Sequence, residues 1–225
     1  MTTHKANGSI RVCGDYKLTI NKYLQQTATT TPEPEDIFTS LHDQQVFSRF
    51  DLKNAFLQVP LDPESVPLTT VNTPWRLYQY KFLPFGVSAS PGFFQKVMDS
   101  LIQDLPGVQS YQDDLLVFGK TLEEHDANLL RILKRLIEKN VTINPEKSTF
   151  RVNTISYLGY SISSEGITPD PDRLKAFAEA PSPDSFEALR SLMGYLQYYA
   201  RFIPQFPSLA KDIYDLQFSK EWKWL

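Results

Sequence analysis

The stretch SYQDDLLVFG, residues 110–119, sets two adjacent carboxylates, Asp113 and Asp114, between apolar runs. Val108 and Tyr111 stand on one side, and Leu115, Leu116, Val117 and Phe118 on the other. Two like charges about 4 Å apart in a partly buried setting repel by roughly 4 kcal/mol. One reading is a hairpin turn with both acids in water, since Asp is a good turn residue. The other is that the pair meets a cation. The ten residues alone leave both open.

Bulk properties narrow the choice of cation. The chain has 225 residues, 41% hydrophobic and 22% charged, the composition of an ordinary globular protein. One cysteine, Cys13, excludes an internal disulfide framework and a cysteine-rich zinc site. Three scattered histidines, His4, His42 and His125, make no imidazole cage. A metal here would be a hard one with oxygen ligands from Asp or Glu. No apolar run reaches membrane-span length and no signal-peptide core is present, so no membrane is expected and the setting is read as intracellular. The net charge of −3 argues against indiscriminate nucleic-acid binding but not against a local basic channel.

Along the chain, QQTATTTPEPED reads as a connector and DIFTSL as a short helix. VFSRFDL alternates as a strand ending at an acid. SPGFFQKVMDSLIQDLPG carries Phe94, Val97, Met98, Leu101, Ile102 and Leu105 at helical spacing, with Ser90 as cap and Pro106-Gly107 as stop. After the acid pair, Thr121 and Glu124 form a capping box for a helix. Leu122, Leu129, Leu133, Leu136 and Ile137 are its expected buried stripe, and Lys134, Arg135 and Lys139 are basic residues on it. TISYLGYSI reads as a strand, and a final helix runs from about Phe186 to Phe202. Strand, helix, hairpin, helix, strand, then helices predicts an α+β fold with an antiparallel sheet packed on helices.

Asp51 ends its strand much as the acid pair sits at a strand bend. If the two strands are neighbours, three carboxylates converge and need a cation. Two divalent ions about 4 Å apart would use them to stabilise both oxygens in phosphoryl transfer.

FDLKNAF, LPFGVSASPGFFQKVMD, YQDD, NPEKSTF and YLGY, in that order, resemble the motif series of reverse transcriptases. RFIPQFPSLAKDIYDL and EWKW resemble the segment directly after the polymerase core in gypsy-type LTR retrotransposons. The resemblance covers nearly the whole chain, from GSIRVCGDYKLTIN onward. It implies a reverse-transcriptase palm at 46–164, with inserted fingers strands at about 60–82. Partial fingers would occupy 1–45, and a small helical thumb or connection-like region 165–225.

By motif match, Asp51, Asp113 and Asp114 are the implied catalytic carboxylates, holding two Mg²⁺ ions with Mn²⁺ as an alternative, and the Leu52 carbonyl also faces a metal. Asn54 and Ala55 offer N–H groups to the triphosphate, and Phe56 stands under the sugar unless it is a plain core residue. Phe85 and Gly86 line the nucleotide pocket. Arg11 grips the triphosphate; Lys5 either joins it or is a surface lysine. Pro91 and its helix support the template, and Gln95 either faces that strand or is an exposed helix residue. Tyr111 and Gln112 lie beside the primer terminus, and Leu158, Gly159 and Tyr160 form the primer-grip hairpin. Lys147 is either the proton donor to pyrophosphate or a lone exposed lysine.

The implied activity is template-directed DNA synthesis from dNTPs on RNA or DNA, with a primer as partner. RNase H and integrase domains are expected in the parent polyprotein, and the cytoplasm or a virus-like particle is the expected location. The chain is expected to begin partway through the fingers and stop at the edge of the connection. Two rivals remain: a truncated or domesticated module that binds without catalysis, and an RNA-dependent RNA polymerase. The intact acids weigh against the first; Phe56, which would crowd a 2′-hydroxyl, weighs against the second.

Overall fold

The computed structural model of the chain describes residues 2–4, 8, 10–24 and 34–217. It divides into two compact units, Met1–Ile155 and Ser156–Leu225. In the first, strands β1 (Thr2–His4) and β2 (Ile10–Val12) pair antiparallel, followed by a single helical turn, α1 (Ile20–Tyr23). Helix α2 (Pro34–Ser40) begins inside the stretch read as connector. Glu35 and Asp36 in its first turn complement the helix dipole, and Ile37 and Phe38 are buried.

A four-stranded antiparallel sheet dominates this unit, in the order β6-β7-β3-β8. Its strands are β3 (Val46–Leu52), β6 (Val108–Tyr111), β7 (Asp114–Gly119) and β8 (Ile143–Val152). The two-stranded ribbon β4 (Val71–Asn72) and β5 (Leu77–Tyr78) lies between β3 and β6 in sequence. Phe47 and Phe50 point to opposite faces of β3, yet both are fully buried, because β3 is an interior strand. Burying each ring contributes about 2–3 kcal/mol. NPEKSTF, which carried no predicted element, lies on β8. β3 pairs with β7 without interruption, but its register with β8 shifts at two points.

Helices α3 (Ser90–Ile102) and α4 (Leu122–Glu138) supply the rest of the main core, with Phe94, Met98, Leu101, Leu129, Ile132 and Leu136. Ser90 is the first residue of α3 and not its cap; its hydroxyl donates to the Pro84 carbonyl at 3.0 Å. Val97 is exposed. Thr121 does cap α4, accepting the Glu124 N–H at 3.2 Å. The buried stripe of α4 differs from the expected one. His125, Asn128, Leu129, Ile132 and Leu136 are buried, at steps of three and four, whereas Leu122 and Ile137 are exposed. Leu122 is the helix's first residue, and Ile137 is turned about 100° from Leu136.

The second unit begins within β9 (Thr154–Tyr157), which with β10 (Tyr160–Ser163) and β11 (Gly166–Pro169) forms a sheet ordered β11-β10-β9. TISYLGYSI is therefore two strands and not one. Leu158 (φ 50°) and Gly159 (φ 77°) make the bend, the positive-φ pair of a type I′ two-residue hairpin loop. Helix α5 (Pro171–Ala178) is capped by Asp170, and α6 (Phe186–Tyr198) by Ser185. The expected long last helix ends at Tyr198, and a 3-10 turn, Ala200–Phe202, follows. Leu189 and Met193 of α6 pack with Phe206 and Ala210, which lie at α7 (Phe206–Leu209) and just before α8 (Lys211–Gln217). Among the described residues, no helix is long and apolar enough to cross a membrane.

Candidate active site

The uninterrupted β3–β7 register sets Asp51 directly opposite Asp114. Tyr111 opposes Asp114 on the other side, so Gln112 and Asp113 form the two-residue turn between β6 and β7. The Leu52 N–H donates to the Asp113 carbonyl at 3.0 Å and ties that turn to β3. Asp51 thus shares one end of the sheet with the adjacent pair Asp113 and Asp114, about sixty residues away in sequence. The Asp51 N–H is 3.3 Å from the Ser148 hydroxyl on β8.

The charges are poorly compensated by protein. The Asp114 carboxyl is pushed up to about 6: burial raises it, Arg49 pulls it down, and Asp113 and Asp51 push it up again. Arg49, on β3, brings its Nε to 4.0 Å from Asp114 Oδ1. Among the described residues, no three His, Cys, Asp or Glu side chains are gathered into a ready cage for a metal. Repulsion among like charges and the pull of Arg49 agree with that spread. The donor set nonetheless fits a hard divalent cation: it is all carboxylate oxygen, negative, and half-buried to exposed.

Beyond Leu52 the chain turns sharply. Asn54 adopts a left-handed conformation (φ 54°) and heads a 3-10 turn, Ala55–Gln58. Ala55 is buried, and Phe56 is half-buried with its ring centroid 5.2 Å from those of both Phe85 and Phe94. The LPFGV turn is anchored on the N-terminal segment. Gly14 N–H donates to the Phe85 carbonyl (3.3 Å), and Asn21 donates to the Gly86 carbonyl and accepts the Ser88 N–H, both at 2.9 Å. Gly86 has φ +100°, and a Cβ there would lie 2.1 Å from the Gly14 carbonyl oxygen. Only glycine fits.

Residues 3–162 match the family described as reverse transcriptase (RNA-dependent DNA polymerase). The chain belongs to the reverse transcriptase family. An uncharacterised protein of Caenorhabditis elegans is 32% identical over 210 residues, 93% of this chain and 16% of that protein. The retrovirus-related Pol polyprotein from transposon opus of Drosophila melanogaster is 31% identical over 187 residues, 82% of this chain and 19% of that polyprotein. A solved foamy viral protease–reverse transcriptase in complex with double-stranded DNA superposes with a TM-score of 0.93. Its identity is 26%, and the match covers all of this chain and 40% of that one. The chain thus spans under half the length of each.

On this reverse transcriptase domain the remaining predicted site residues separate. Pro91 is exposed in the first turn of α3, Tyr111 and Gln112 are half-buried beside the acids, and Lys147 is exposed on β8. The structure overturns one alternative offered for Gln95. It is 1% exposed and therefore not an open helix residue. Its side chain points inward because it bonds Asp99, Ser110 and Gln112. Arg11 lies on β2, with its side chain outside what the structure describes, and Lys5 lies outside the described residues.

Within the second unit of this reverse transcriptase, the Leu158-Gly159 bend is held by tyrosines. Tyr198 donates to the Leu158 carbonyl at 2.5 Å and Tyr199 to the Gly159 carbonyl at 2.8 Å. The Tyr160 hydroxyl donates to the Tyr198 carbonyl at 3.1 Å, and its ring is 1% exposed among those of Tyr198, Tyr199 and Phe202.

Sequence reading missed Arg49, Ser148 and a buried polar group under the sheet. Ser48 Oγ lies 2.9 Å from His125 Nε2 and accepts the Arg151 N–H at 3.0 Å. Asp126 meets His125 Nδ1 at 3.2 Å and takes two bonds, at 2.8 and 2.9 Å, from the Arg151 guanidinium. Ser48 and His125 have no exposed surface, so this group ties β3, α4 and β8 together and offers nothing to a substrate. The one available signal was His125 itself, a polar residue in phase with Leu129 and Ile132.

Proposed function

We propose that this chain is the polymerase part of a gypsy-type LTR retrotransposon reverse transcriptase. Partial fingers occupy 1–45, the palm 46–164 with fingers strands at about 60–82, and a thumb or connection-like region 165–225. Its reaction is attack of a primer 3′-hydroxyl on the α-phosphate of a dNTP, directed by an RNA or DNA template. The observation that carries this reading is the cross-strand pair Asp51–Asp114 with Asp113 in the adjoining turn.

Asp51, Asp113, Asp114 and the Leu52 carbonyl would hold two Mg²⁺ ions, with Mn²⁺ as an alternative. Bound there, such ions lower the pKa of the attacking hydroxyl and neutralise the departing pyrophosphate. The chain's own groups do the positioning. Asn54 and Ala55 stand where the chain turns sharply beyond Leu52, and their main-chain N–H groups would face the triphosphate. Phe56, braced by Phe94 and Phe85, is suited to lie against the sugar. Exposed Lys147 is available as proton donor to pyrophosphate. Arg49, 4.0 Å from Asp114, offsets part of its charge.

The test is primer extension on an RNA template with dNTPs and Mg²⁺, comparing wild type with Asp113→Asn. Wild type extends; the variant keeps its circular dichroism and loses extension by at least about a hundredfold. Extension by Asp113→Asn at near the wild-type rate overturns the reading.

A further inference from the structure

We propose that Gln95 is the positioning residue that sets the Gln112-Asp113 turn, and through it the aim of the Asp113 and Asp114 carboxylates. This inference rests on the polymerase reading and adds to it a residue that never touches substrate. Gln95 lies on α3, packed against β6, and is 1% exposed. Its Oε1 accepts the Gln112 N–H at 2.8 Å. Its Nε2 donates to Asp99 Oδ1 at 2.8 Å and reaches Ser110 Oγ at 3.1 Å and the Ser110 carbonyl at 3.3 Å. The Ser110 hydroxyl donates in turn to Asp99 Oδ1 at 3.3 Å. The amide orientation is fixed by these partners, because the reverse one would set an NH₂ against the Gln112 N–H.

The bond supports the turn. Gln112 has φ +53°, a conformation that is uncommon for non-glycine residues, and the Gln95 acceptor helps to hold it. Its N–H has left the β6–β7 ladder and, among the described residues, finds its acceptor in Gln95. On the other flank, the Leu52 N–H holds the Asp113 carbonyl at 3.0 Å. The turn that carries one acid and delivers the next is thus clamped between α3 and β3. A neutral amide suits this place: it accepts on one side and donates on the other, whereas an ionised carboxylate would face Asp99. An apolar side chain would leave the Gln112 N–H without its acceptor. Partners that orient ligand-bearing groups typically change metal affinity or activity by about 10–100-fold when removed.

The experiment compares wild type, Gln95→Met and Ser110→Ala in the 225-residue chain, with Mn²⁺ binding followed by the electron paramagnetic resonance of free Mn²⁺, without turnover. Gln95→Met binds Mn²⁺ about tenfold more weakly, and its kcat for primer extension falls about tenfold while the KM for dNTP stays within about twofold. Ser110→Ala, which leaves the Gln95–Gln112 bond in place, loses thermal stability but keeps Mn²⁺ affinity within about twofold. Folded Gln95→Met with wild-type Mn²⁺ affinity overturns the proposal, as does an equal loss in both variants. If Gln95→Met does not fold, amide hydrogen exchange of wild type decides: slow exchange at Gln112 supports the clamp, and exchange at the unfolded rate overturns it. Mn²⁺ binding by a wild type that extends no primer would sink the polymerase reading, while the Mn²⁺ comparison still decides for or against Gln95. A wild type that binds no Mn²⁺ overturns both.

Discussion

Asp114 and Arg49 lie on neighbouring strands with Asp114 Oδ1 4.0 Å from the Arg49 Nε, and this cation moderates but does not cancel the charge of the three acids. Opposed carboxylates at a sheet end are a standing electrostatic cost, so the site and the stability of the sheet are coupled.

In chelator, that coupling gives a stability difference that depends on pH. The folded Asp114 carboxyl lies at about 6 against 3.8 for an unperturbed group, so the folded state holds the proton more tightly. The stabilisation is fully present below pH 4 and is lost as pH rises through 6. A shift of about two units corresponds to about 3 kcal/mol; with a third of the side chain exposed, about 1 kcal/mol is expected. Asp114→Asn should therefore be more stable than wild type by about that amount at pH 7.5 and equal to it at pH 4. Urea unfolding at both pH values measures it; a variant less stable at pH 7.5 would contradict the account.

Phe56 should govern sugar choice. Its ring packs on Phe94 and Phe85 and leaves the residue half-buried, so Phe56→Val opens space next to the proposed nucleotide without collapsing the turn. Discrimination against rNTPs falls by at least about tenfold, worth about 1.4 kcal/mol of differential transition-state binding. The ratio of kcat/KM for dNTP and rNTP in both proteins checks it, and an unchanged ratio would return Phe56 to a core role.

Gly86→Ala tests the contact between the LPFGV turn and the N-terminal segment. A Cβ 2.1 Å from the Gly14 carbonyl oxygen, at φ +100°, forces backbone to move. A loss of about 1–3 kcal/mol is expected, with a higher KM for dNTP. Thermal melts and steady-state kinetics measure the two, and a melt unchanged from wild type would show that the turn adapts freely.

Ser48→Ala should destabilise without touching chemistry. His125 Nε2 loses its partner in a place with no water access, a loss of about 1–3 kcal/mol. Chemical denaturation should show it with kcat per folded molecule unchanged; a lowered kcat would implicate this buried group in the reaction.

Local signals made the hairpin around Asp113 and the capped helix after Thr121 readable from sequence. The approach of Asp51 to Asp114 was not readable, because strand pairing across 63 positions leaves no local trace. Gln95 stood in phase with Met98 and Ile102 on the buried stripe of α3, and a polar residue there signals a buried partner. Nothing in the helix itself names that partner. Leu158 hid the bend at Gly159, since leucine is no turn former, and the two tyrosine hydroxyls that hold the bend come from forty residues away.

The central strand has one strict neighbour and one lenient neighbour. Against β7 it keeps a continuous register through six pairs, ending at Asp51 and Asp114; against β8 the register slips twice. A strand that already bulges can absorb one more residue by bending. A strand in strict alternation cannot, since a one-residue slip turns every side chain to the opposite face. Insertions and deletions among relatives of this chain should therefore survive selection along β8 and be purged from β3, β7 and the turn before it. The outer edge of the four-stranded sheet is free to drift in length while its centre keeps count.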